Sequence, residues 1–158
     1  DAYTSSDAYL RNKDDAIIAR ALTILESRLQ TDKQSLSSPT AVKKYLKLKM
    51  SELEHEEFVM LSFNVKMELI DSSSLFRGTL TEAAVYPREV VKHALKVNAA
   101  CVIFAHNHPA GSSEASAADI ALTKKLNEAL NLIDVPVRDH IIVAAGKDCF
   151  SFAENGMI

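Results

Sequence analysis

A chain of 158 residues with 47% hydrophobic and 25% charged residues has the make-up of one globular domain, long enough to bury a true core. No apolar run reaches the roughly 18 residues of a transmembrane helix, and the opening DAYTSSDAYLRNKDD lacks a signal-peptide core, so no membrane association and a cytoplasmic location are expected. A net charge of −3 argues against a whole-surface nucleic-acid binder, which draws its affinity from neutralised phosphates, and two cysteines without CxxC spacing suggest no disulfide framework.

Residues 1–13 are polar and are expected to be poorly ordered. Over residues 14–30, Ile18, Leu22, Leu25 and Leu29 recur at helical spacing, with Asp14 and Asp15 at the end that favours negative charge, which predicts an amphipathic helix. Residues 31–37 resemble a linker. The chain therefore divides into an extension, 1–36, and a domain, 37–158, with the first helix either docked on the domain or free to serve as an arm for a protein partner. Ser38-Pro39 reads as a cap followed by proline at the first helical position, and Val42, Tyr45, Leu46, Met50 and Leu53 form the buried stripe of a second helix. Its Lys43, Lys44, Lys47 and Lys49 read as a solvated face rather than a nucleic-acid patch.

That helix runs into an acidic cluster, Glu54, Glu56 and Glu57, which taken alone reads as a solvated helix end. Strands are predicted at 57–64 and 68–75, joined as a hairpin around 65–67, with an exposed edge near Phe58 able to pair between chains. Pro87 starts a third helix whose Val90, Val91, Ala94 and Leu95 can face a sheet. Residues 99–104 read as a buried strand, with Cys101 as a small core residue. A fourth helix over 117–132 carries Ile120, Leu126, Ala129 and Leu130 inward, and strands at 135–144 and 148–152 close the chain around Gly146. His55 and His93 fall on helix surfaces and receive no role. This order predicts an α/β fold, a mixed β-sheet flanked by helices.

The stretch richest in chemistry is AHNHPAGSSEASAAD, residues 105–119. Successive strand side chains alternate faces, so His106 and His108 project to one side if the strand continues that far. Pro109 cannot extend a central strand, Gly111 allows a tight reversal, and Asp119 can then arrive from the start of a helix. Two imidazoles and a carboxylate suit Zn²⁺, one ion per chain, with a fourth tetrahedral position left for water. Ser116 and Asp119 also have the spacing of a capping box, which gives the same residues a purely structural reading.

These residues closely resemble the His-x-His-Pro, then Ser-x-x-Asp signature of the JAMM/MPN metalloprotease superfamily, and specifically its RadC-like branch. LFRGTL (75–80), YPREVVKHALKVNAA (86–100), VRDHIIV (137–143) and FSFAENGMI (150–158) are similar to that branch in the same order, so the resemblance covers about residue 37 onward. It implies the JAB/MPN, cytidine-deaminase-like fold, here with an N-terminal helical extension. It places the zinc ligands on His106, His108 and Asp119, and the serine that stabilises the tetrahedral intermediate on Ser116. The family's general base is a glutamate at the start of an early strand, and its usual Glu-x-Phe pattern selects Glu56 ahead of Phe58, with Glu57 as second candidate. Alternation puts Glu56 and Phe58 on one face and Glu57 on the other. Asp139 and His140 repeat a family pattern, either beside the site or as a structural hydrogen-bonded pair.

The resemblance implies a zinc-dependent hydrolase that cleaves peptide or isopeptide-like amides. The competing reading is a non-catalytic DNA- or protein-binding module with a structural metal, in keeping with the branch's historical link to DNA repair. Because fold and name do not establish function, that link carries little weight. The glycine-rich hairpins of DNA-binding relatives are also missing here, so nucleic acid is an improbable partner, while retention of all three ligands favours an enzyme.

Overall fold

The computed structural model describes residues 2–31, 38–80 and 84–158. Of the predicted linker, Thr31 instead ends the first helix, while residues 32–37 and the boundary between 36 and 37 lie outside the described residues. Four helices and five strands follow in the order α1 (Ala2–Thr31), α2 (Pro39–Met50), β1 (Glu57–Phe63), β2 (Leu69–Arg77), α3 (Pro87–Lys96), β3 (Cys101–His108), α4 (Ala117–Asn131), β4 (Val137–Ala144) and β5 (Phe150–Ser151). The strands form one mixed sheet, β2-β1-β3-β4-β5, in which only β3 and β4 run parallel, with α4 as their crossover. This is the α/β architecture expected, a mixed sheet between helical layers with a helical N-terminus.

Each sheet face has its own core, and the alternation along the strands decides which residues enter it. Val59, Leu61 and Phe63 of β1 pack with Ile103, Ile141 and Val143 beneath Tyr45, Leu46 and Met50 of α2. The intervening Phe58 and Met60 pack with Val102 and Phe104 beneath Val90 and Ala94 of α3 and Leu122, Leu126 and Leu130 of α4. All seven residues of β1 are buried because it lies inside the sheet, covered on both faces. The edge expected near Phe58 is therefore absent; among the described residues the edges are β2 and β5. Strand order is a long-range property that the hairpin pattern does not specify.

Other local expectations shift for identifiable reasons. The first helix begins at Ala2 rather than at residue 14: residues 2–31 contain no proline or glycine, and the described side chains from Arg11 to Ile17 face solvent. Its later half docks on the domain through Leu22 and Leu25, and the Tyr45 hydroxyl donates to Glu26 Oε1 at 2.6 Å; the Leu29 side chain lies outside the described residues. Ser38 takes the N-cap position of α2 without a side-chain bond, leaving Pro39 as the helix-start signal that operates. That helix stops at Met50, so His55 and the glutamates through Glu56 stand on a loop, and Glu57 opens β1.

Leu95 of α3 and Ile120 of α4 point outward, 60% and 43% exposed, and Ala129 is half-buried. The inward face of α4 instead carries Asp119, Leu122, Thr123, Leu126 and Leu130, so two polar residues occupy positions a hydrophobic count assigns to solvent. His93 is not a bare surface residue: its Nε2 lies 2.7 Å from Asp71 Oδ2 on β2. Among the described residues, no helix is long and apolar enough to cross a membrane.

Candidate metal centre

Strand β3 does continue to His108, so His106 and His108 share the face that packs against α4. Beyond them the chain turns at once. Gly111, at φ +80, takes a left-handed conformation that other residues adopt at a cost, and its N–H donates to the His108 carbonyl at 3.0 Å. Five residues later α4 begins with a complete capping box: the Ser116 N–H donates to Asp119 Oδ2 at 2.8 Å, and the Asp119 N–H donates to Ser116 Oγ at 3.1 Å.

The capping and ligand readings of Asp119 are both realised, because one carboxylate does both jobs. Its Oδ1 lies 3.1 Å from His106 Nε2 and its Oδ2 lies 3.3 Å from His108 Nε2, while the two Nε2 atoms are 2.8 Å apart. One ligand atom from each of the three residues falls within 4.8 Å of the others. Among the described residues this group can hold a metal ion; Glu56 stands outside it.

The protons in this cluster follow from its hydrogen bonds. His108 Nδ1 lies 2.8 Å from the Ser112 carbonyl, which can only accept, so Nδ1 carries a proton and in the neutral ring Nε2 presents a lone pair. Thr123 Oγ1 donates to the Asp119 carbonyl at 2.6 Å, which uses its only proton. His140 Nδ1–H therefore donates to Thr123 Oγ1, His140 Nε2 accepts, and His106 Nδ1–H donates to it across 2.8 Å. His106 Nε2 is thus left with a lone pair as well. Two lone pairs and a carboxylate aimed at one point repel each other unless a cation lies between them, and this donor set suits a borderline divalent metal.

Electrostatics point the same way. The hydrogen bond that a protonated His108 donates to Asp119 raises its pKa above the ordinary value against the effect of burial, with smaller contributions from the Ser112 carbonyl and from Glu56. Burial works against the Asp119 carboxylate, but the hydrogen bonds that His106 and His108 donate to it when protonated outweigh burial and hold the carboxyl well below its usual range. Burial, followed by the charge of His106, pushes His140 well below the ordinary histidine value.

These shifts predict a stability maximum in the metal-free protein. The His108 contribution is fully present below 6.5, its ordinary value, and is lost as pH rises through its raised one. His140 acts in the opposite direction: below 6.5 the unfolded chain takes up a proton that the buried ring does not, so stability falls by up to about 1.4 kcal/mol per pH unit. Urea denaturation across pH is expected to peak near 6.5, and His140→Gln should remove much of the acid-side decline. An unchanged acid limb in that variant would show that another group titrates there.

The remaining candidates are sorted by strand parity. Glu56 sits one residue before β1, where the Leu80 N–H donates to its Oε2 and the Gly78 N–H donates to its carbonyl at 2.9 Å. Phe58 pairs with His106 across β1 and β3, so the same parity carries Glu56 toward His108. Glu57 falls on the other face, buried beside His55 at 3.4 Å and Arg77 at 3.6 Å. Ser116 is exposed at the mouth of the cluster. His140, fully buried, joins it from below, whereas Asp139 turns away: it accepts from the Ser151 hydroxyl at 2.6 Å and the Ala153 N–H at 3.0 Å, tying the chain end to β4.

Two contributors escaped the sequence reading. Asn107, between the two histidines, faces the opposite side, where its Oδ1 accepts the Glu57 N–H and its Nδ2 donates to the His55 carbonyl, each at 2.8 Å. It thereby pins the loop that carries Glu56, and strand alternation contained that signal. Thr123 was also missed, although its spacing of four from Asp119 places it on the same helix face.

A model of the RadC-like JAB domain matches residues 36–157, most of the chain. The chain belongs to the RadC-like JAB domain family. It is 59% identical over 122 residues to a UPF0758 protein of Janthinobacterium sp. (strain Marseille), covering 77% of this chain and 54% of the relative. A UPF0758 protein of Herminiimonas arsenicoxydans is 56% identical over 124 residues, covering 78% and 55% respectively. The UPF0758 protein YfjY of Escherichia coli (strain K12) is 47% identical over 141 residues, covering 89% of this chain and 88% of the relative. The chain thus spans about half the length of the first two relatives and most of the third. The residues singled out as site candidates, Glu56 and its alternative Glu57, His106, His108, Ser116, Asp119, Asp139 and His140, lie inside the matched family segment.

Proposed function

We propose that the chain is a zinc-dependent hydrolase of the JAMM type, cytoplasmic, that cleaves peptide or isopeptide-like amide bonds with one ion per chain. The observation that carries this reading is the convergence of two Nε2 lone pairs and the Asp119 carboxylate beside an exposed hydroxyl and a nearby carboxylate. His106, His108 and Asp119 are the ligands. Three protein ligands are the number typical of catalytic rather than structural zinc. Bound there, Zn²⁺ supplies Lewis acidity, polarising the scissile carbonyl and bringing water into its nucleophilic form near neutral pH.

The chain's own groups supply the rest. Glu56 takes the proton of the attacking water and returns it to the departing nitrogen, so the amide leaves as an amine. Ser116 Oγ accepts from the Asp119 N–H, which leaves its own proton free to be donated to the oxygen that gains negative charge. Asn107 holds the Glu56 loop against β3, and Phe58 stacks on the His106 ring, with centroids 6.4 Å apart. Each reacting group thus comes from a packed element or from a loop tied to one.

Elemental analysis of purified, unchelated protein tests the proposal. Near-stoichiometric zinc is expected in the wild type and little in His108→Ala. Equal zinc in both proteins, or none in either after zinc is supplied, would overturn the metal reading and leave a binding module as the better account.

A further inference from the structure

We propose that Thr123 is a positioning residue that sets the proton arrangement of the metal site through His140. The inference rests on the metal reading above and extends it to two residues that touch no ion. The hydrogen bonds run in one direction. Thr123 Oγ1 donates to the Asp119 carbonyl, His140 Nδ1–H donates to Thr123 Oγ1, and His106 Nδ1–H donates to His140 Nε2. Each link fixes the next, so His106 keeps the lone pair on Nε2, 2.8 Å from His108 Nε2 and 3.1 Å from Asp119 Oδ1.

The chain of bonds is sealed from water, which is why it can decide a tautomer. His106 and His140 are both fully buried and Thr123 is 2% exposed, so no solvent molecule can replace a lost partner without opening the core. Phe152 stacks on the His140 ring with centroids 4.8 Å apart and Phe58 meets its edge, which blocks rotation to another hydrogen bond. The start of the relay also lies on the ligand-bearing helix: the carbonyl that Thr123 engages belongs to Asp119 itself. Helix α4 therefore delivers the carboxylate ligand and, one turn later, the hydroxyl that prepares a histidine ligand on β3.

Without the hydroxyl the logic reverses. In Thr123→Val, His140 Nδ1–H has no acceptor, and the ring is better served by moving its proton to Nε2. His106 Nδ1 must then accept, its proton moves to Nε2, and a hydrogen occupies the direction a metal needs. A partner in this position typically changes metal affinity about 10- to 100-fold.

The test combines ¹⁵N NMR of the imidazole nitrogens with zinc titration. Only five histidines are present, which makes assignment practical. In metal-free wild type at mildly alkaline pH, His106 and His140 are expected as Nδ1–H tautomers. Thr123→Val should convert His140 to the Nε2–H form and weaken zinc binding about 10- to 100-fold, and Thr123→Ser should restore both. A wild-type His140 carrying its proton on Nε2 overturns the proposal, whether or not the valine variant folds. So does a folded Thr123→Val with wild-type tautomers or affinity, or a serine variant as weak as the valine one. The tautomers are read without metal, so a wild type that fails to bind zinc defeats the metal reading while the relay is still judged by its spectrum.

Discussion

Glu56→Gln is expected to retain its metal and to cleave amides about 10²- to 10⁴-fold more slowly than the wild type, the range lost with a general acid–base group. Glutamine keeps the shape of glutamate, and its amide oxygen can still accept the Leu80 N–H, so the loop stays in place. What disappears is the ability to take and return a proton. Glu57→Gln provides the control. Glu57 lies on the opposite sheet face against His55 and Arg77, so its substitution should leave kcat within a few-fold and act mainly on stability. The measurement is kcat for an amide that the wild type cleaves, with zinc content determined on the same samples. A fast Glu56→Gln and a slow Glu57→Gln would exchange their roles and mean that β1 starts with the opposite parity.

This division between the glutamates shows what kind of information a sequence carries. The spacing of His106 and His108, the turn at Gly111 and the arrival of Asp119 at a helix start are local patterns, each legible from strand alternation or turn chemistry, and the structure brings those three residues together. Glu56 was separable from Glu57 by the same parity once a strand was placed after it. Contacts between elements were not legible. His140 reaches His106 because β4 lies parallel to β3, and Thr123 reaches His140 because the crossover helix folds back over both. No local spacing records that meeting.

The misread phase of α4 has the same origin. Asp119 and Thr123 are polar, and a hydrophobic count turns them outward in favour of Ile120, although burial leaves both satisfied: Asp119 accepts the Ser116 N–H, and Thr123 bonds with the Asp119 carbonyl and His140. The pairing of Asp139 with His140 misled differently. Adjacent strand residues face opposite sides, so only His140 can join the metal site, and Asp139 instead holds Ser151 and Ala153.

Asp119 carries two roles, and two substitutions are expected to separate them. Asp119→Asn keeps an oxygen able to accept the Ser116 N–H, so the start of α4 should survive, but it removes the negative charge that both histidines face. Zinc affinity should fall more than the about 10- to 100-fold typical of losing an outer partner, because a ligand and a charge are lost together. Asp119→Ala should lose the metal to a similar degree and also lose its half of the capping box, the bond from the Ser116 N–H, worth about 1 kcal/mol of stability. Zinc titration reads the first effect, and urea denaturation of the metal-free proteins reads the second. The His108 pKa should also fall in both variants, since its elevation comes first from Asp119 and burial then works against the charged ring. An asparagine variant that binds zinc as the wild type does would reduce Asp119 to a helix cap. The site would then hold two imidazoles and no anionic ligand, too few for an ion that must also activate water.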